Sequence, residues 1–285
     1  MTSLMQSVAS QAERVELDTT GGRQVWHVWH RNAVGQPPLV LLHGGSGSWT
    51  HWIRNVQALS IDRAVWAIDL PGFGDSDLPP EVRDVDLMFP YVVEGMQQLF
   101  GETRVDLMGF SFGGMTSGFI AAHHPERIHR LLLIGIPALG LFVGAQALRG
   151  LREDMTAQER AEVMRHNLLK MMLHHPESVQ DDTVAMQDAN VSRDRMRRRR
   201  IARSDVLLQL QQRWTCPVYT FWGEHDVLYT GRLNAVREAL QGCRLMSFHI
   251  IPDAGHWVMY ERAQIFNELV LQTLQSPLPA NAVSC

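Results

Sequence analysis

The residues with the clearest chemical potential lie between Gly109 and Gly114, in the order Gly-Phe-Ser-Phe-Gly-Gly. An apolar run over 105–108 predicts a buried strand before them, and apolar residues at helical spacing follow until His124-Pro125. A strand, a G-x-S-x-G turn and a helix form a nucleophile elbow, whereas the pentapeptide alone is as easily a loop. The tight turn leaves no room for bulk beside the serine, which is why glycines flank it. Ser111 is therefore the candidate nucleophile.

A serine hydroxyl is a weak nucleophile until a base removes its proton, and histidine has a suitable pKa for that task. His256 is the best candidate among the 13 histidines, because it lies in a loop directly after the last predicted strand. In a parallel sheet that edge also carries the elbow. His43 stands beside a glycine loop and is predicted to brace it. Four other histidines stand beside prolines at helix ends, where a solvated imidazole is usual.

The imidazole in turn needs a carboxylate that fixes its tautomer and stabilises its charged form. Asp226 follows the preceding predicted strand, in the order Gly-Glu-His-Asp, and is expected at the same sheet edge. Glu224 is a rival two residues away. Asp253 is another, although it is too close to His256 in sequence to fold back onto it easily. We take Asp226 as the acid of the triad.

Further groups must bind the negative charge that develops on the substrate oxygen. The N–H after the serine, at Phe112, lies at a helix N-terminus, where unsatisfied donors favour negative charge. The loop from His43 to Ser48 is rich in glycine and follows another predicted strand, so the N–H of Gly45 can supply a second donor. Such loops also bind nucleotide phosphates, but the sequence has neither G-x-G-x-x-G nor a lysine-bearing phosphate loop.

These side chains need a scaffold, and the hydrophobic pattern predicts eight strands that alternate with helices. A polar turn at 20–22 joins the first two strands as a hairpin, and continuous apolar runs mark later strands as buried on both faces. Residues 1–12 are predicted to be a loose tail. The predicted strands are 13–19, 23–31, 39–42, 64–68, 105–108, 128–136, 217–222 and 245–251.

The alternation of strands and helices stops at Pro137 and resumes after residue 213. The stretch between them has helical patterns, many methionines and a dense run of arginines. Its 13 basic and 10 acidic residues give it a charge of +3, while the rest of the chain is −7. Such a change of composition indicates an inserted helical subdomain. We therefore divide the chain into a first core part, 1–136, a helical cap, 137–213, and a second core part, 214–285.

This combination resembles the α/β-hydrolase superfamily over nearly the whole chain. The resemblance rests on the segments 43–45, 69–75, 109–114, 223–226 and 255–256, and on the order serine, aspartate, histidine. It implies the α/β fold class, with a mostly parallel eight-stranded sheet flanked by helices and a helical cap inserted after the sixth strand. It also agrees with a triad of Ser111, Asp226 and His256 and an oxyanion hole of Gly45 and Phe112.

Some features are similar to the meta-cleavage-product hydrolases, which cleave carbon–carbon bonds in ring-opened aromatic compounds. Trp257 after the histidine, the glycine loop and an arginine-bearing cap fit that family, but Phe110 stands where it usually has asparagine. A helix over 197–200 would turn at least one of its four arginines toward the body, where it needs an acidic side chain or a substrate anion as partner. The candidate substrate contacts are therefore Phe110, Trp257, Arg197, Arg198, Arg199 and Arg200.

We expect a serine hydrolase that forms an acyl-enzyme on a small ester or lactone, with room for a carboxylate on the substrate. Carbon–carbon hydrolysis of meta-cleavage products is the alternative within this enzyme class. A non-catalytic protein of the same fold, which binds a small molecule under the cap, is the alternative outside it. No metal or organic cofactor is expected.

The composition narrows the choice of partners. A net charge of −4 gives no reason to expect nucleic acid, and no window approaches the ~20 apolar residues of a membrane span. The polar first eleven residues do not resemble a signal peptide. Cys216, Cys243 and Cys285 are an odd number without metal-ligand spacing, as expected for free thiols. We expect a cytoplasmic enzyme whose partner is a small-molecule substrate, and formation of a homo-oligomer stays open.

Overall fold

The computed structural model describes residues 3–143, 147–196 and 199–278. Its strands are β1 Glu13–Thr19, β2 Gly22–Trp29, β3 Leu39–Leu42, β4 Val65–Asp69, β5 Val105–Phe110, β6 Ile128–Ile134, β7 Val218–Gly223 and β8 Leu245–Ile251. They form one sheet in the spatial order β1-β2-β4-β3-β5-β6-β7-β8. The first two strands are the predicted antiparallel hairpin, β2 pairs antiparallel with β4, and every later neighbouring pair is parallel.

The parallel strands β3 to β8 place their carboxyl ends at one edge of the sheet. Strands β3, β4, β5 and β7 are buried along their whole length, as the continuous apolar runs predicted. The loops after β3, β5, β7 and β8 therefore meet at one edge. These four loops carry the glycine loop, the elbow, the predicted acid and the predicted base.

Helices lie on both faces of the sheet, so the molecule has two apolar cores. The helices are α1 Ser3–Ala9, α2 Val56–Leu59, α3 Val85–Phe100, α4 Phe112–His123, α5 Ala157–Met171, α6 Asp181–Ser192, α7 Val206–Leu210, α8 Leu233–Ala239, α9 Val258–Glu261 and α10 Ala263–Gln275. Helices α3, α4 and α8 contribute to one core, and α1, α2, α9 and α10 contribute to the other. No helix in the described ranges is both long and apolar enough to span a bilayer.

Between β6 and β7 the described residues form helices and turns but no strand. A capping box between Thr156 and Glu159 starts α5, and Arg160 of α5 pairs with Asp188 of α6 at 2.6 Å. The predicted fold class is confirmed, because the sheet has eight mostly parallel strands and the helical insertion follows the sixth of them.

The N-terminus differs from the predicted loose tail. Ser3–Ala9 is a helix whose Met5 and Val8 side chains are buried. The indole N–H of Trp29 donates to the carbonyl oxygen of Val8 at 3.2 Å, so α1 covers this tryptophan. With only Met5 and Val8 buried among residues 4–9, the helix is too short for its periodicity to be recognised in the sequence. Between β3 and β4 a 3-10 turn, Trp49–Trp52, precedes the single-turn α2.

Candidate active site

The elbow consists of the end of β5, the turn at Ser111 and the start of α4. Ser111 has φ +49° and ψ −114°, a region that non-glycine residues rarely adopt, and its N–H donates to the carbonyl oxygen of Ile134 at 2.8 Å. A Cβ at Gly109 would overlap the carbonyl oxygen of Gly113, and a Cβ at Gly113 would overlap that of Leu42. Close backbone packing therefore requires both glycines, as the sequence predicted.

Asp226 and His256 lie side by side in the loops after β7 and β8. The distance from His256 Nδ1 to Asp226 Oδ2 is 2.9 Å, and both side chains are almost fully buried. The other carboxylate oxygen of Asp226 accepts from the Leu228 N–H at 3.0 Å, which fixes its orientation. Because an ionised carboxylate only accepts hydrogen bonds, the imidazole carries its proton on Nδ1 and presents Nε2 as an acceptor.

Neither rival acid is bonded to this imidazole. Glu224 and Asp253 are exposed, and Glu224 accepts from the Asp253 N–H at 3.2 Å. His256 Nε2 is buried and has no hydrogen-bond partner in the described part of the chain, so Ser111 Oγ is not bonded to it in this conformation. Contacts of this kind often tighten only when substrate is present.

A cavity of about 900 Å³ opens beside these groups, next to the carboxyl edge of the sheet. Ser111, His256 and Phe110 line it from the body, with Gly45 and Phe112 beside them. The cap contributes an apolar wall that consists of Leu151, Met164, Leu168, Met171, Met172 and Val191. Four of the five predicted catalytic and oxyanion residues therefore line one cavity, namely Ser111, His256, Gly45 and Phe112. The fifth, Asp226, is bonded to His256 and does not line the cavity.

The glycine loop after β3 is held to the body through two histidines. His43 Nε2 accepts from the Leu70 N–H at 2.9 Å, and its Nδ1–H donates to the Gly44 carbonyl oxygen at 2.7 Å. His51 Nδ1 accepts from the Gly44 N–H at 3.2 Å. Burial lowers the pKa of His43 to about 4 and the pKa of His51 to about 3, so both rings are neutral acceptors at neutral pH. The bracing role predicted for His43 agrees with these contacts.

Asp69, at the end of β4, ties the same loop to the turn that follows this strand. Its carboxylate accepts from the N–H groups of Trp49 and Asp75, both at 2.9 Å. Burial raises the pKa of Asp69 to about 6, against the effect of these two hydrogen bonds. These contacts give Asp69 a structural role, in which it holds two backbone segments together.

Of the two described arginines at 197–200, Arg199 reaches the cavity and Arg200 does not. Arg199 Nη1 pairs with Asp194 Oδ2 at 3.0 Å, and Nη2 donates to Ser46 Oγ at 3.1 Å. Its guanidinium carbon lies 5.9 Å from the centre of the Phe112 ring. The acidic partner of this arginine therefore belongs to the cap segment itself, and a hydroxyl of the body completes the contact.

The remaining predicted substrate contacts are placed differently. Arg200 is exposed and outside the cavity wall, and Arg199 and Arg200 belong to no helix, so the argument from helical spacing does not apply to them. Arg197 and Arg198 lie outside the described residues. Trp257 is fully buried and is not part of the cavity wall; its indole N–H donates to the carbonyl oxygen of His51 at 3.0 Å.

Several polar residues of the cap line the cavity without having been predicted, and Gln187 and Asp194 are the two of them that contact the glycine loop. Neither belongs to a recognisable motif. The sequence contains no signal that would have identified them, because their position depends on how α6 packs against a loop 140 or more residues earlier in the chain.

The sequence signature of the alpha/beta hydrolase fold family matches residues 37–263, and the chain belongs to that family. The 2-hydroxy-6-oxononadienedioate/2-hydroxy-6-oxononatrienedioate hydrolase of Paraburkholderia phymatum is 27% identical, over 89% of this chain and 92% of its own length. The predicted enzyme class, a hydrolase, is confirmed by the family and by such relatives.

Two solved structures illustrate the shared fold. Carboxylesterase CesB of Bacillus subtilis has a TM-score of 0.70 at 19% identity, over 96% of this chain and 95% of its own. A meta-cleavage product hydrolase from Pseudomonas fluorescens IP01 has a TM-score of 0.72 at 23% identity, over 90% and 96% of the two chains. At these identities the similarity establishes the fold and leaves the substrate open.

Proposed function

We propose that the protein is a serine hydrolase that works through an acyl-enzyme, with Ser111 as nucleophile, His256 as general base and Asp226 as its orienting acid. One observation carries this proposal. The buried imidazole is held by Asp226 through Nδ1, and its Nε2 has no partner among the described residues beside the cavity that Ser111 lines. A buried acceptor without a partner is costly, so it is expected where a serine hydroxyl or a substrate completes it.

The proposed reaction proceeds in two halves. His256 Nε2 takes the proton of Ser111 Oγ as this oxygen bonds to the substrate carbonyl carbon, whose π electrons move onto the carbonyl oxygen. The tetrahedral intermediate then breaks its bond to the leaving group, which receives the proton from Nε2. A water molecule, deprotonated by the same nitrogen, then attacks the acyl carbon, the bond from this carbon to Ser111 Oγ breaks, and Oγ takes the proton back from Nε2 as the acid is released. Asp226 stabilises the imidazolium in both halves.

The N–H groups of Gly45 and Phe112 are the proposed oxyanion hole. Phe112 is the first residue of α4, so its N–H has no acceptor within the helix and benefits from the helix dipole. A Cβ at Gly45 would lie 3.1 Å from Nη1 of Arg199, so glycine allows both this backbone and the guanidinium to face the cavity. Removal of one oxyanion donor typically lowers kcat by about 10²–10³.

The charge of the cavity supports a small ester or lactone that bears a carboxylate. The wall contains five arginines and two acidic residues, although the whole chain has a charge of −4. Among the described residues, Arg149 and Arg203 of this wall have no acidic partner. A substrate carboxylate would supply one, since an arginine fork binds a carboxylate in bidentate fashion.

Hydrolysis of a carbon–carbon bond is the second candidate, and the names of the relatives favour it. In that reaction the dienol substrate must ketonise before its carbonyl is attacked, so the enzyme must bind a conjugated anion and deliver a proton to carbon. Phe110 argues against it. Its ring lines the cavity 4.9 Å from the His256 ring and cannot donate a hydrogen bond to a dienolate oxygen. Such a bond is worth roughly 1.5–3 kcal/mol, a factor of about ten to a hundred or more in rate.

A panel assay with short aryl esters, lactones and a ring-opened dienoate decides between the two reactions. We expect kcat/KM for the best ester to exceed that for the dienoate by at least ~10-fold, from the estimate for the missing hydrogen bond. Phe110→Asn should narrow the difference by raising the dienoate rate. A wild-type preference for the dienoate would refute both the ester assignment and the effect ascribed to Phe110.

A fluorophosphonate probe tests the non-catalytic alternative, a protein that only binds a small molecule under the cap. We expect one covalent adduct on Ser111 of the wild type and none on Ser111→Ala, whose circular dichroism should match the wild type. Ser111→Ala and His256→Ala should each lower turnover by about 10⁴-fold or more. If an active-site adduct does not form, a binding protein becomes the better interpretation.

We also propose a cytoplasmic location and a small-molecule substrate as the partner, with no nucleic acid, membrane or cofactor required by the chemistry. Cys216 and Cys243 are free thiols, and burial raises the pKa of each to about 12. Neither is therefore a competing nucleophile, because the thiolate is the reactive form. Subcellular fractionation tests the location, and gel filtration tests the oligomeric state.

A further inference from the structure

One side of helix α6 and the turn after it hold the loop that carries Gly45. Gln187, Asn190 and Asp194 are spaced by three and four residues, the spacing of one helix face. Gln187 Nε2 donates to the carbonyl oxygen of Ser46 at 3.0 Å. Asp194 Oδ2 accepts from the hydroxyl of the same Ser46 at 2.6 Å. The cap therefore forms hydrogen bonds with both the backbone and the side chain of Ser46, the residue after Gly45.

Asn190 makes the most deeply buried of these contacts. Its Oδ1 accepts from Ser48 Oγ at 2.8 Å, and its Nδ2 donates to Thr50 Oγ1 at 3.0 Å. All three residues are at most 1% exposed. Asn190 does not line the cavity, so it has no contact with a substrate bound there. Any effect of this residue on turnover must act through the loop.

Gly45 lies between a residue that is hydrogen-bonded to the body and a residue that is hydrogen-bonded to the cap. The body holds Gly44, whose N–H is bonded to His51, and the cap holds Ser46. Ser46 has φ +51°, a strained value for a residue with a side chain, and such a conformation persists only where surrounding contacts fix it. The direction of the Gly45 N–H therefore depends on contacts from the cap.

We propose that Asn190 is a positioning residue for the oxyanion hole, which it orients by holding Ser48 and Thr50. This inference rests on the proposed function, in which the Gly45 N–H binds the oxyanion. Under this proposal the cap has two roles, because it forms one wall of the cavity and also orients the Gly45 N–H in the oxyanion hole. Because a small displacement of a preorganised donor weakens transition-state binding, loss of Asn190 lowers the rate more than the substrate affinity.

Asn190→Ala tests the proposal, with Thr183→Ala as the matched control. Thr183 is equally buried on the same helix, but its hydroxyl is bonded to the Tyr260 hydroxyl at 2.7 Å instead of to the loop. For an aryl ester, Asn190→Ala should lower kcat by about 10-fold, part of the effect of a whole oxyanion donor, and change KM by less than about 3-fold. Thr183→Ala should keep both constants close to those of the wild type.

An alkylboronic acid provides a second readout, because its tetrahedral adduct on Ser111 places an oxygen in the oxyanion hole. Its inhibition constant should rise in Asn190→Ala by the same factor by which kcat falls. Asn190→Asp, which keeps an acceptor for the Ser48 hydroxyl, should recover most of both losses. Equal kcat losses in Asn190→Ala and Thr183→Ala, or an unchanged inhibition constant, would overturn the proposal.

Two more variants keep the test decisive. If Asn190→Ala does not fold, Ser48→Ala removes the same hydrogen bond from the loop side and must give the same separation of kcat from KM. Ser111→Ala separates this inference from the proposed function. Ester turnover that survives in Ser111→Ala refutes the proposed function, whereas an inactive Ser111→Ala beside a fully active Asn190→Ala refutes only the role of Asn190.

Discussion

Acid should destabilise this protein because three histidines are buried in their neutral form. Burial lowers the pKa of His27 and His43 to about 4 and the pKa of His51 to about 3, whereas an unfolded histidine has a pKa of about 6.5. Below pH 6.5 the unfolded chain therefore binds three protons that the folded chain does not bind. Between pH 7.5 and 5.5 each histidine lowers the free energy of unfolding by about 1.3 kcal/mol, or about 4 kcal/mol for the three.

Asp69 acts in the opposite direction. Burial raises the pKa of Asp69 in the folded state to about 6. As the pH falls, Asp69 therefore binds a proton in the folded protein before it binds one in the unfolded chain. This adds about 0.8 kcal/mol of stability between pH 7.5 and 5.5. From these four groups we expect the free energy of unfolding to fall by roughly 3 kcal/mol over that interval, measured by denaturant titration at both pH values.

His27→Gln isolates one of the three histidines. His27 lies outside the wall of the candidate active site. Its Nδ1 is buried without a hydrogen-bond partner among the described residues, so replacement by glutamine removes no hydrogen bond at this atom. The loss of stability between pH 7.5 and 5.5 should shrink by about 1.3 kcal/mol. The value at pH 7.5 is the control, since it reports only the change in packing. A variant with the same pH-dependent loss as the wild type would refute the assignment of His27 as a neutral buried group.

Further substitutions test the site and the elbow. Asp226→Asn should lower kcat by about 10⁴ through the wrong histidine tautomer, while Glu224→Gln stays near wild type in the same ester assay; the reverse result would mean that the acid is misassigned. Arg203→Met should raise KM by about 10-fold for carboxylate-bearing esters alone, because Arg203 lines the cavity without an acidic partner among the described residues, and an equal rise for neutral esters would show that this arginine does not bind the carboxylate. Gly113→Ala should destabilise the protein by at least about 1–3 kcal/mol in thermal unfolding, because its Cβ meets backbone, whereas Gly150→Ala, with nothing within 4 Å, should not.

The parts of the site that follow strands were predictable because each is a short local pattern. A strand buried on both faces leaves a continuous apolar run, which located β3, β4, β5 and β7, and alternation around the turn at 20–22 located the first hairpin. Ser111, Asp226 and His256 stand in loops directly after strands. Asp226 was chosen over its rival Glu224 from the sequence, and in the structure it is the Asp226 carboxylate that lies 2.9 Å from His256 Nδ1.

The cap was predictable only as a helical insertion. The substrate-contact prediction for Arg199 depended on a helix over 197–200, yet the chain after α6 follows a loop of the body. The Arg195 N–H donates to the carbonyl oxygen of Gly72 at 2.9 Å, and Asp194 Oδ1 accepts from the Met196 N–H at 3.0 Å. Tertiary contacts of this kind override helix propensity, and the sequence does not indicate which distant loop an arginine will meet. The same limit applies to Trp257, whose burial behind His51 removes it from the cavity.

The hydrogen bonds between α6 and the glycine loop also bear on how enzymes of this fold can be recombined. In a chimera with residues 137–213 from another hydrolase, different side chains would face Ser46, Ser48 and Thr50, and the hydrogen bonds that hold these residues would be lost. Such a hybrid would lose turnover even where the foreign cap folds and its pocket suits the substrate. Turnover in this protein therefore depends on the loop and the cap together, and libraries that vary one segment should vary the other in the same clone.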